Sequence, residues 1–140
     1  MRAPFAAAVL AALLCASGAA DAEHEVPYRF TLVGYVKDAT GQPVAGERVE
    51  VIRDKTGLAY RSDTDAHGLY VVVARLGDEA LGETLTVRVG GARTTVPVRF
   101  DAANHHDERG TRLDREGARW IVRPAWFRST LARILAPPAH

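Results

Sequence analysis

Cysteine is nearly missing from this chain of 140 residues, and the one present is Cys15. It sits in an apolar N-terminal stretch that we expect to be cleaved off. The mature chain would then have no thiol, so neither a disulfide nor a thiolate nucleophile is available to it in any compartment. Leu14 stands where a lipoprotein signal wants a small residue, which argues against lipidation at Cys15. Charge of one sign is also lacking: 18 basic and 17 acidic side chains leave +1. No nucleic-acid partner is expected. No apolar run reaches the ~20 residues that a bilayer-spanning helix needs. A Ser/His/Asp order, a phosphate loop and a CxxC pair are all absent. We therefore nominate no catalytic residue and expect no cofactor.

What is present begins with an export signal. Arg2 is a short positive region, Phe5 to Ala16 is apolar, and Ala20-Asp21-Ala22 offers a cleavage site, with Gly18-Ala19-Ala20 competing. Residues 1–22 are read as a signal peptide, and the expected location is secreted, periplasmic in a bacterium. About 118 residues then remain, enough for one domain with one core.

The middle of the chain alternates turn residues with short β-type runs. Tyr28, Phe30 and Leu32 alternate with Arg29 and Thr31, and the phase slips at Val33-Gly34, which suggests a bulge at Gly34. Turn chemistry fills Asp38 to Gly46, Asp54 to Gly57 and Asp65 to Gly68. Val49 and Val51 share a face, Tyr70 to Ala74 is continuously apolar, and Leu85, Val87 and Val89 alternate with polar residues. Gly90-Gly91 marks a hairpin. Val96, Val98 and Phe100 share a face, with Pro97 pointing to an edge strand. Asp101 to Gly117 is polar and shows no apolar period. Trp120-Ile121-Val122 reads as a last strand. After Pro124, Phe127, Leu131, Ile134 and Leu135 recur at helical spacing until Pro137-Pro138. The expected fold is all-β: a seven-stranded antiparallel Ig/prealbumin-like sandwich over 23–123, followed by a short amphipathic helix in 124–140.

Certain residues in this order resemble carboxypeptidase regulatory-like domains, in the prealbumin/transthyretin-like superfamily. They are Gly34-x-Val36-x-Asp38, Gly41-x-Pro43-Val44-x-Gly46, Val49-x-Val51, Thr64-Asp65-x-x-Gly68-x-Tyr70 and Leu85-x-Val87-x-Val89. The resemblance spans roughly residues 30 to 100. It implies a domain without a catalytic set, serving as a folding aid, spacer or binding surface. Hydroxyisourate hydrolases share the sandwich and the Gly-Gln-Pro turn. Here, however, Tyr35 and Leu69 stand where that resemblance asks for histidine and arginine, and the terminus is not Tyr-Arg-Gly-Ser. The expectation is thus a secreted, non-enzymatic accessory or binding module of the cell envelope, touching protein or carbohydrate. A transthyretin-like hydrolase is the weakest alternative.

The remaining alternative is a periplasmic metal-binding protein. Asn104-His105-His106-Asp107-Glu108 is the one cluster with ligand chemistry, and His105, His106 and Asp107 are the candidate metal ligands. Neighbouring histidines in extended chain point apart, so a third ligand such as His24, His67 or Asp63 would have to be brought in. Asp63, Asp65 and Asp78 read better as turn caps than as a calcium loop. Trp120, Trp126 and Phe127 read better as core or helix-docking anchors than as a sugar platform. Charge is divided along the chain, with 10 basic and 15 acidic residues from Asp21 to Glu108, then seven arginines against Asp114 and Glu116. Arg123, Trp126, Phe127, Arg128 and Arg133 are therefore the candidate partner-binding residues. They would meet an envelope protein or polymer, the chain's own acidic body, or a membrane surface through 124–136.

Overall fold

The computed structural model describes residues 25–123 and 133–134. Two four-stranded sheets face each other. The first has the order β4-β1-β7-β8 and the second β3-β2-β5-β6. The strands are β1 (Phe30–Lys37), β2 (Arg48–Arg53), β3 (Ala59–Asp63), β4 (Leu69–Ala74), β5 (Thr84–Val89), β6 (Ala92–Pro97), β7 (Gly110–Glu116) and β8 (Arg119–Arg123). The all-β sandwich is as expected, and its architecture is consistent with a prealbumin-like fold. Among the described residues the strand count is eight rather than seven. The pairing is not wholly antiparallel either, because β1 and β7 run parallel from Thr31↔Gly110 to Lys37↔Glu116. The expected signal peptide lies outside the described residues. So does the expected C-terminal helix, apart from Arg133 and Ile134, which carry helical backbone.

The core follows from the two-residue period. Phe30, Leu32 and Val36 of β1, Val49 and Val51 of β2, Leu85, Val87 and Val89 of β5, and Tyr70 and Val72 of β4 are all buried between the sheets. Each such side chain contributes roughly 1.5–3 kcal/mol when removed from water. Trp120 packs against this cluster from β8, in line with its reading as core. β6 is an edge strand, which accommodates Pro97 at its end without a lost ladder bond. Turns are closed by side chains where aspartate was read. Asp38 Oδ1 accepts from the Thr40 and Gln42 amides, and Asp65 Oδ1 from those of His67 and Leu69.

β7 is the strand that the sequence hides. Its residues are mostly charged, yet it lies inside the first sheet between β1 and β8. Leu113 faces the core, and Asp114 is buried with its side chain only 3% exposed. Asp114 is fully engaged. Oδ1 accepts from the Tyr35 amide (2.9 Å) and Arg112 Nε (3.2 Å), and Oδ2 from Arg112 Nη2 (2.9 Å) and Arg123 Nε (2.7 Å). Burial pushes this carboxyl up. The hydrogen bonds from Arg112, the Tyr35 amide and Arg123 outweigh it, and the net direction is down. Beside it, the buried Tyr70 hydroxyl donates to Leu113 O at 2.5 Å. Burial first, and the Asp114 charge second, push the Tyr70 phenol up.

Gly34 is no bulge. The β1–β4 register runs unbroken from Phe30↔Ala74 to Tyr35↔Leu69. The glycine is needed for close approach instead, because a Cβ there would lie 1.9 Å from Leu113 O. Among the described residues, no helix is long and apolar enough to cross a membrane.

Candidate functional site

The loop that carries the two histidines joins β6 to β7, at the end of the sandwich where β1 begins. Arg109 organises this end. Its side chain is 2% exposed and lies over the Phe100 ring, with Cζ 4.0 Å from the centroid. Nη1 donates to Pro27 O (3.1 Å), Nη2 to Asn104 O (3.3 Å), and Nη1 also meets Asp78 Oδ1 at 2.7 Å. Arg109 Nε is buried without a hydrogen-bond partner among the described residues. The Arg109 carbonyl accepts from the Thr31 amide at 2.9 Å, which fixes the loop to the first residues of β1.

Asn104 shapes the turn that follows. Its Oδ1 accepts from the amides of His106 (3.0 Å) and Asp107 (3.1 Å), and its Nδ2 donates to Asp107 Oδ2 at 2.9 Å. This turns His105 toward the short 3-10 turn Asp78–Ala80, where Nε2 meets Asp78 Oδ2 at 3.0 Å. Both side chains of that pair are about half exposed. The hydrogen bond from Arg109 holds the Asp78 carboxyl below its usual range; burial opposes it, and the hydrogen bond from His105 adds a smaller push in the same downward direction. Asp78 is therefore ionised at neutral pH and can only accept. In the neutral imidazole this contact puts the proton on Nε2 and leaves the lone pair on Nδ1.

The structure thus separates the three residues expected to share a metal. His105 pairs with Asp78, the Asp107 carboxylate turns to Asn104, and the His106 side chain is exposed. Among the described residues no three His, Cys, Asp or Glu side chains converge to hold a metal ion. Asp63 meets Arg48, Asp65 closes its turn and Asp78 is an ion-pair partner rather than a cap. Arg123, expected to meet a partner, bonds Asp114 and Glu116 within the chain. Of the other partner-binding candidates, Arg133 is described and exposed. Trp126, Phe127 and Arg128 lie outside the described residues. The Asp78–His105 pairing was not anticipated, and its one trace in the sequence is that both residues had been singled out, in separate contexts.

No family model matches the chain, and no curated protein matches it. Among solved structures it is similar to a 5-hydroxyisourate hydrolase of Klebsiella pneumoniae. The identity is 16% and the TM-score 0.46, over 69% of this chain and 98% of that one. It is also similar to the dioxygenase domain of a dioxygenase and carbohydrate-binding fusion from Streptomyces sp. SirexAA-E, at 16% identity and TM-score 0.45, over 66% and 82%. A third is catechol 1,2-dioxygenase from Acinetobacter sp. ADP1, at 16% identity and TM-score 0.42, over 64% of this chain and 45% of that one. At this distance the likeness concerns the shape of the sandwich and transfers no residue. It corrects one expectation all the same. The expectation of a non-enzymatic module followed from the resemblance to domains without a catalytic set, whereas the similar structures are those of a hydrolase and of dioxygenases.

Proposed function

We propose that this is an exported protein of hydrolytic type, in which His105 acts as a general base on water and Asp78 orients it. The observation that carries the reading is the 3.0 Å contact between Asp78 and His105 Nε2, with Asp78 itself clamped by the buried Arg109. A base held by a carboxylate, and a carboxylate held by a third group, is the arrangement that activates a hydroxyl or a water. No side-chain nucleophile is paired with His105 in any bond described above, so water is the nucleophile this geometry serves. Attack of water on an acyl carbon would pass one proton to Nδ1, and the same nitrogen would return it to the leaving group.

The order of turn motifs between Gly34 and Tyr70 supports a carboxypeptidase regulatory-like kinship for the scaffold. The proposed pair lies outside those motifs. The test is turnover by the purified mature chain of small esters, lactones, amides and 5-hydroxyisourate, followed across pH. His105→Ala should lower the rate on the order of 100-fold, in keeping with the usual contribution of a positioned base. Asp78→Asn should lower it less, with the binding constant for substrate unchanged. Activity that is indifferent to His105→Ala, or absent from the whole panel, removes this reading.

A further inference from the structure

At the other end of β1 lies a cleft of about 350 Å³. β1 begins beside Arg109 and ends at Lys37, so roughly 25 Å of extended chain separates this cleft from His105. Its lining includes Lys37, Asp38, Val44, Glu47, Gly90 and Arg115; the Lys37 ammonium lies over the Tyr35 ring, 5.9 Å from its centroid, and Asp38 closes its own turn on the Thr40 and Gln42 amides. Arg115 is held rigidly. Its Nε donates to Gly117 O at 2.9 Å and Nη1 to Val89 O at 2.8 Å, and its Cζ sits 5.2 Å from the Trp120 ring centroid. A guanidinium has five N–H groups, so most of its donors remain for something else. The half-buried arginines Arg53 and Arg112 and the fully buried Arg109 each have a carboxylate. Among the described residues Arg115 has none.

Glu47 is in the mirror situation. It is half-buried and meets no cation among the described residues, and no ion pair joins it to Lys37 or Arg115 across the cleft. The turn glycine Gly90 makes room for its carboxylate, because a Cβ there would lie 2.8 Å from Glu47 Oε1. Opposite charges therefore line one concave surface without neutralising each other, and the half-buried Val44 lines it with them. We propose that this cleft binds a small zwitterion of the α-amino-acid class. Arg115 takes the carboxylate, Glu47 takes the ammonium, and Val44 takes a short apolar side chain. The forked guanidinium suits a carboxylate, and its fixed position spares the entropy of ordering it. The site is separate from the proposed hydrolytic pair and stands or falls without it.

The experiment is an amide-resolved NMR titration of the mature chain with L-valine, isobutyrate and isobutylamine. L-Valine should move the Gly90, Gly91 and Gly117 amides and saturate. Each half-ligand should bind roughly tenfold more weakly or worse, the usual effect of losing one charge-assisted contact. Glu47→Gln should abolish the preference for L-valine over isobutyrate. Arg115→Met should weaken L-valine and leave isobutylamine unchanged, and the unshifted remainder of each spectrum reports that the variant is folded. Absence of shifts at this cleft, half-ligands that bind as well as L-valine, or a Glu47→Gln protein that keeps the preference would each overturn the proposal.

Discussion

Replacing Asp114 with asparagine tests whether one carboxylate holds β1, β7 and β8 together. The carboxylate is buried and accepts from one backbone amide and two arginines. Asparagine keeps the shape and one acceptor, but it puts an amide NH2 against guanidinium donors, leaves Arg112 without its counter-charge and leaves Arg123 with Glu116 alone. Breaking a buried pair from one side typically costs about 3–5 kcal/mol. Arg123 is half exposed, which lets water take over part of its loss, so we expect about 3 kcal/mol. Urea denaturation should show it as a lower midpoint at unchanged slope. The pH arm is more specific. The folded carboxyl is held below its ordinary value of 3.8. Its contribution is therefore complete above the unfolded value and is lost as pH falls through the lower folded one. The difference between wild type and Asp114→Asn should be flat from about pH 5 to 8 and shrink steadily below about pH 4. A loss under about 1 kcal/mol, or a difference that persists unchanged to about pH 2, would show that the pairing is decorative.

Gly34→Ala puts a Cβ 1.9 Å from a backbone oxygen that cannot swing away. It should cost about 4 kcal/mol or more, or prevent folding, as seen in soluble yield and thermal melting. Tyr70→Phe removes the donor to Leu113 O in a buried site and should cost about 1–3 kcal/mol in the same urea assay, with the fold intact by NMR. Thr64 bridges two turns, donating to Val44 O at 2.6 Å and accepting from the Glu47 amide at 2.9 Å. Thr64→Val should cost about 1–3 kcal/mol and speed hydrogen exchange at the Glu47 amide. Val44 and Glu47 both line the Arg115 cleft, so the same variant should also blur any binding there.

The alternation of Val49 with Val51, and of Leu85, Val87 and Val89, was enough to read the inner faces of the second sheet. The turns at Asp38 and Asp65 were legible because their chemistry is local: each carboxylate closes a loop on amides two to four residues away. β7 was not legible. Apolar alternation marks a strand when water lies on one side of it. In β7 the outward Asp114 is screened by Arg112 two residues on one side and by Arg123 from a different strand. Gly34 was misread for a related reason, since the oxygen it accommodates belongs to Leu113, 79 positions along the chain and seen only once β1 and β7 lie parallel.

The amino-acid order alone determined a two-layer β architecture and the places of its turns, because those depend on neighbours within a few residues. Tertiary structure alone decided that Asp78 meets His105 across 27 positions, that Arg109 is buried behind them, and that Arg115 and Glu47 share a cleft while remaining apart. Side chains on different strands acquire relative positions only when backbone pairing sets the register. Until then their charges have no defined distance, and so no chemistry to read.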